Sequence, residues 1–203
     1  LVVFSLVNGY FFTNTFFLYN QSDMRALFGI VPLVYLFFIP AVSMGLISRE
    51  KSLGTIEIIS TLPVRERDIV LGKYLAGFTL ILVALLTTAV HYITLYNVGT
   101  TVDHGAVFTG YLGLALLGGV YTSVGIFASS LTENQVIAFI LSVVACFGFL
   151  LAGFSLVLDL FSSWAPQALV DAIASLSFLT HFSNISKGVI DLRDLVYFSL
   201  LIV

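Results

Sequence analysis

Eight basic side chains, eleven acidic ones, three histidines and one cysteine are all that this 203-residue sequence offers for chemistry. The histidines, His91, His104 and His181, stand far apart, and only His104 has an acidic neighbour, Asp103. Zinc sites are built from closely spaced His or Cys pairs, and no such pair occurs here, so the expectation is no metal. Neither G-x-S-x-G nor H-E-x-x-H is present, and no apolar run carries paired carboxylates. Nucleophilic and general acid–base catalysis therefore lack their groups. Gly72-Lys73 matches the heart of a phosphate-binding loop, but Arg67 stands where the loop needs its first glycine and Tyr74 where it needs Ser or Thr. The chain is expected to be no enzyme and to bind no cofactor. If ATP drives it, another polypeptide hydrolyses that ATP.

What remains is one charged island. Residues 48–74, SREKSLGTIEIISTLPVRERDIVLGKY, hold nine of the charged side chains, between long runs that hold almost none. Gly54 is expected to break a helix descending from the preceding run, Thr55 to cap a new one, and Glu57 to suit the positive end of its dipole. Pro63 forbids continuation and biases Leu62 out of helical geometry, after which VRERDIVLGKY restarts a helix. The expected picture is a short helix held crosswise by two breaks. Five basic residues are nearly balanced by Glu50, Glu57, Glu66 and Asp68, which differs from the one-sided charge of a lipid-binding patch. Mixed charge together with Ile56, Ile58, Ile59 and Leu62 suits docking on a protein.

The elements that would position this island are membrane spans. The sequence is 59% hydrophobic and 9% charged, with a mean hydropathy of +1.09. Soluble domains carry about 25% charged residues, so an all-α integral membrane protein is expected. A span needs about 20 apolar residues to cross roughly 30 Å of hydrocarbon. Five segments qualify, at 1–19, 28–47, 74–96, 105–130 and 134–158, and a sixth begins at 195. The first opens inside an apolar stretch and the last stops inside one, so both are expected to be truncated. Five of the eight basic residues, Arg49, Lys51, Arg65, Arg67 and Lys73, lie in the 48–73 connection, which predicts a cytoplasmic location for it. The apolar 159–194 segment then falls outside, where Ser163 could cap a helix beginning near Pro166 and sharing Leu169, Ile173 and Leu176 on one face. Tyr19, Tyr92, Tyr96 and Tyr111 would mark the outer interface and Tyr74 the inner one.

Finer features fit a packed bundle in lipid. Ala115, Gly119 and Ser123 form a small-residue stripe, as do Ala138, Ser142 and Cys146, with Gly148 and Ala152 beyond. Pro32 and Pro40 are expected to bend the second span. His91, 17 residues beyond Tyr74, would lie about 25 Å along the helix axis from it, close to the outer surface. With no acidic or basic group inside the first five runs, an ion-driven carrier is disfavoured. A net charge of −3 gives no reason to expect nucleic acid. Asn20-Gln21-Ser22 and Asn184-Ile185-Ser186 match the glycosylation acceptor pattern.

The island also carries a resemblance. Glu50, Lys51, Gly54, Thr55, Ile56, Glu57, Ile59, Thr61 and Pro63, followed by Asp68, Ile69, Val70, Leu71, Gly72 and Lys73, resemble the first cytoplasmic loop of ABC-2 type transporter permeases. The stretch GIFASSLTENQVIAFI is similar to that family's turn between spans four and five. SLSFLTHFSNISKGVIDLRDLVYF resembles the approach to the last span in the bacterial gliding-motility-associated group, with the nitrous-oxide-reductase maturation permeases more distantly similar.

The resemblance implies six helices per subunit and a dimeric permease in the bacterial inner membrane. It also implies two copies of an ABC ATPase carrying ATP and magnesium. Residues near 55–62 would be the coupling helix, with Glu57, Arg65 and Arg67 making polar contacts and Ile56, Ile59 and Leu62 entering an apolar cleft of the ATPase. Thr55 would start that helix. Export is the expected direction. The alternative is a membrane anchor or assembly component of a motility or maturation complex that moves no solute.

Overall fold

The computed structural model describes residues 1–18, 24–61, 63–98, 103–154, 157–159, 166, 167, 170, 174–188 and 191–202. Tyr19, Asn20, Gln21, Ser22, Leu62, Ser163, Leu169 and Ile173, all singled out above, lie outside the described residues. In lipid a backbone must bond to itself, and among the described residues every regular element is a helix. These are α1 Val2–Leu18, α2 Arg25–Ser43, α3 Ser48–Ser52, α4 Thr55–Ser60, α5 Glu66–Thr87, α6 Ala89–Asn97, α7 His104–Leu131, α8 Gln135–Leu151, α9 Phe178–Ser186 and α10 Leu192–Ile202. Three stretches, Leu27–Ser52, Glu66–Asn97 and His104–Leu131, are long and apolar enough to cross a membrane. Val2–Phe17 and Gln135–Leu151 are apolar but shorter.

The boundaries differ from expectation where side-chain hydroxyls intervene. The descending helix stops at Ser43, ahead of the expected break at Gly54, and Met44–Ile47 turn before α3 begins. Ser43 Oγ donates to Ile39 O at 2.9 Å, the back-bonding that loosens a helix end. The next long helix is interrupted at Thr88, where both Thr87 and Thr88 hydroxyls bond back, to Ala84 O and Leu85 O at 2.6 Å each. Pro32 and Pro40 both lie within α2, which continues through them to Ser43.

At the centre stands α7, which packs against α2, α5, α8, α9 and α10. Its glycines make that possible, since small residues let helices approach where lipid offers no hydrophobic drive. Gly110 sits under the Phe28 ring, Gly118 between Ile81 and Tyr35, and Gly125 against Ser43. The expected stripe of Ala115, Gly119 and Ser123 turns elsewhere: Gly119 faces Tyr74 and Ile202, and Ser123 Oγ donates to Ile202 O at 3.1 Å. On α8, Ala138, Ser142 and Cys146 are buried, while Gly148 faces open space.

A Cβ on Gly125 would lie 1.9 Å from Ser43 Oγ and 2.6 Å from Ser43 Cβ, so no rotation of Ser43 relieves both contacts. Gly125→Ala is expected to lower stability by about 1–3 kcal/mol through overpacking. Thermal unfolding of the detergent-solubilised protein checks this; an unchanged transition would show that α2 and α7 separate freely there.

In the outer segment, α9 is capped by Ser177, whose Oγ accepts from Leu179 N at 3.2 Å and Thr180 N at 3.4 Å. Phe178, His181, Phe182 and Ile185 form its buried face. Leu176, expected on a helical face with Leu169 and Ile173, lies in the turn before α9 and is half exposed. Asn184 of the second acceptor pattern lies on α9 itself.

Candidate functional site

The island becomes a two-step structure, α3 then α4, hinged at Gly54. Gly54 has φ 68°, a left-handed conformation that costs other residues roughly 1–2 kcal/mol. Thr55, expected to cap α4, instead opens it as the first helical residue and donates its hydroxyl to Glu50 O at 3.2 Å. That bond ties α4 back to α3 across the hinge. With Gly54 at the cap position, no side chain caps α4.

Three anchors fasten this structure to the bundle. Ser129, wholly buried in the last turns of α7, receives Ile47 N at 3.1 Å and Ser48 N at 2.9 Å, and donates to Met44 O at 2.8 Å. One hydroxyl thus satisfies three backbone groups released where the chain turns between α2 and α3. Lys51 Nζ bonds Ser130 O in the adjoining residue of α7. Lys73, on the first turns of α5, donates to Leu46 O at 2.5 Å and pairs with Glu50. The phosphate-loop-like lysine is therefore spent on holding the turn.

Outward, the same structure offers a mixed surface. Leu53 is 65% and Ile58 66% exposed, on either side of the Gly54 hinge. Glu57, Arg65 and Arg67 are exposed, and no partner within the described residues engages their side chains. Ile56 and Ile59 are half-buried rather than fully presented. The apolar emphasis thus falls on Ile58, one of the four aliphatics expected to suit docking, and on Leu53, which was not among them. Of the two acidic residues on α3 and α4, Glu50 is used internally and Glu57 is left outward.

The histidines are kept apart. His91 Nδ1 lies 2.9 Å from Thr88 O, with its ring against Phe12, and His104 Nδ1 lies 2.7 Å from the Tyr92 hydroxyl. Among the described residues no three His, Cys, Asp or Glu side chains converge as metal ligands would. His181 has a partner that sequence reasoning missed. Its Nδ1 lies 2.5 Å from Asp194 Oδ1 on α10, and its Nε2 lies 3.0 Å from Ser175 O. A carbonyl can only accept, so Nε2 carries a proton, and a further proton lies between Nδ1 and the carboxylate. His181 and Asp194 are 6% and 2% exposed.

Among the described residues no reacting centre is assembled, and the island stands bonded to one end of an apolar bundle with an outward face. No curated protein and no solved structure matches the chain. A family described as ABC-2 family transporter protein matches residues 9–201, nearly the whole sequence. Such permeases are membrane subunits that work with an ABC ATPase and normally perform no catalysis themselves. On that match, and on the apolar helices that accompany it, this chain is an integral membrane protein belonging to the ABC-2 transporter family.

Proposed function

We propose that the chain is the permease subunit of an ATP-driven exporter, and that α3 and α4 receive the movement of a separate ATPase. The observation that carries this reading is the pairing of tight anchorage with outward chemistry. Ser129, Lys51 and Lys73 fix the island to α7 and α5, while Leu53, Glu57 and Ile58 face away from the bundle. A loop without a mechanical task has no need of both. The apolar side chains, Ile56, Ile59 and Leu62 with them, would enter a cleft of the ATPase, and Glu57, Arg65 and Arg67 would make the polar contacts.

In this reading residues 48–73 are cytoplasmic, in keeping with the concentration of basic side chains there. Six helices make one subunit, two subunits enclose the path, and two ATPase copies hold ATP and magnesium. ATP-driven closure of the ATPases pushes α4, and the push passes through Ser129 into α7 and through Lys73 into α5. The bacterial inner membrane and kinship with the gliding-motility-associated group are part of the same proposal.

An Ile58→Cys variant in a Cys146→Ala background tests sidedness and partner together. The new thiol is expected to cross-link to the ATPase in inside-out vesicles and to resist a membrane-impermeant maleimide in intact cells. Labelling from outside, or a co-purified ATPase that never cross-links, would overturn the reading.

A further inference from the structure

Between Lys73 and Glu133 the sequence holds a single formally charged residue, Asp103. Asp103 caps α7, its Oδ1 accepting from Gly105 N at 3.0 Å and Ala106 N at 3.3 Å. α5 starts beside the island, α6 carries on from it, and α7 begins next to α6, so Asp103 stands at the end of the bundle away from the island. At that end a groove of about 530 Å³ runs between α5, α6 and α7, within the roughly 300–1,000 Å³ typical of ligand sites.

Floor and mouth differ in chemistry. Leu82, Leu85, Val107 and Tyr111 make the floor, and the exposed Leu86 and Phe108 border it. The Tyr111 hydroxyl lies 3.2 Å from Thr88 Oγ1, so the one hydroxyl of that floor is already matched. Tyr92 and His104 close the outer end, with the Tyr92 hydroxyl 2.7 Å from His104 Nδ1. The His104 ring stands 6.1 Å from that of Tyr92 and 6.4 Å from that of Tyr96, four residues further along α6. Asp103 precedes Val107 by four residues, in the same row of the α7 surface. No Lys or Arg among the described residues lines the groove, and none occurs in the 98–103 connection. Capping uses the Asp103 carboxylate as an acceptor without cancelling its charge. The positive helix end offsets part of that charge, and the negative faces of the tyrosine rings add to what is left.

We propose that this groove binds an organic cation with an alkyl tail, of the alkyltrimethylammonium class. Its tail lies along Leu82, Leu85 and Val107, and its charged head meets Tyr92, Tyr96 and Asp103. From His104 to Tyr111 the tail has about 10 Å of α7 to follow. A quaternary head has no N–H to donate, so aromatic faces and opposite charge are what hold it, and the mouth offers both. An anionic amphiphile would meet the carboxylate instead. The phosphate of a phospholipid would find no Lys or Arg among the lining residues. A neutral amphiphile would gain from the floor and nothing from the mouth. The site is independent of the island and of any ATPase.

Native mass spectrometry of the full-length protein in detergent tests it, with decyltrimethylammonium, decyl sulfate and decanol supplied separately at equal concentration. The cation is expected to bind at least roughly tenfold better than either of the others. Asp103→Asn removes the charge and keeps the helix cap, since Asn caps as well as Asp. Tyr96→Leu removes an exposed ring. Each should lower the preference at least roughly threefold, and the double variant should abolish it, while Tyr96→Phe retains it. Ala89→Phe fills the groove and should weaken all three ligands. Asp191 accepts from Arg193 N at the start of α10, outside the groove, so Asp191→Asn should leave the preference intact. Asp103, Tyr96 and Asp191 are exposed, and an unchanged gel-filtration profile confirms folding of these variants. Equal binding of the three ligands would mark a slot for any alkyl chain and overturn the proposal. So would the absence of any adduct, a preference surviving in the double variant, equal loss in Asp191→Asn, or undiminished binding in Ala89→Phe.

Discussion

Glu57→Arg is expected to cut ATP-driven transport by at least tenfold while the permease still assembles. Glu57 is exposed on the first turn of α4 and has no partner within the described residues, so its removal leaves the chain's own bonds intact. Two effects follow, one at the start of α4 and one across the interface. The carboxylate that suits the positive end of a helix is lost, and a cation takes its place. If the ATPase presents a basic group there, attraction becomes like-charge repulsion, which costs several kcal/mol across an interface. A loss of about 1.4 kcal/mol already gives the tenfold effect. The measurement is ATP hydrolysis and transport together in reconstituted vesicles, with an acidic substitution on the ATPase sought as a rescue. Transport coupled as in the parent protein would remove Glu57 from the interface.

The largest effect on stability is expected from the buried pair in the outer part. Asp194→Ala leaves His181 with its Nε2 proton on Ser175 O and nothing facing Nδ1. Leaving one member of a buried polar pair without its partner costs about 1–3 kcal/mol, and more where that member carries a charge. The site is further closed by Tyr197, which stacks on the His181 ring at 4.0 Å and donates its hydroxyl to Leu176 O at 2.6 Å. Loss of the carboxylate therefore loosens α9, α10 and the 175–176 turn together. His181→Ala should cost a similar amount, and the double variant far less than the sum, because the two groups answer mainly to each other. Denaturant or thermal unfolding of all four proteins gives the coupling. Two small, additive losses would show that the pair is not a structural unit.

The island was legible because charge is conspicuous in an apolar sequence, and Gly54 and Pro63 punctuate it. Its anchorage was not. Ser129 lies 82 residues from Ile47, and nothing local in a serine announces that it will serve a distant backbone. The earlier break had a weak signal in Ser43 followed by Gly45, a combination at which helices bend. Thr87-Thr88 carried a similar hint for the interruption of the next long helix. The choice of Ile59 over Ile58 was a matter of helical phase, fixed only once α4 is seated. His181 and Asp194 were each visible, but their meeting depends on the turn at Gly188, whose φ is 93°. Small-residue spacing correctly marked α7 as a packing helix, yet could not say which of its faces met which neighbour.

Every bond that Ser129 makes with the 44–48 turn ends on a main-chain atom, so the joint is indifferent to which side chains that turn displays. Specificity and mounting are thereby written in separate alphabets. On the coupling role proposed above, a different ATPase would be accommodated by exchanging outward residues without touching the Ser129 joint, as one changes a key's teeth without recutting its bow.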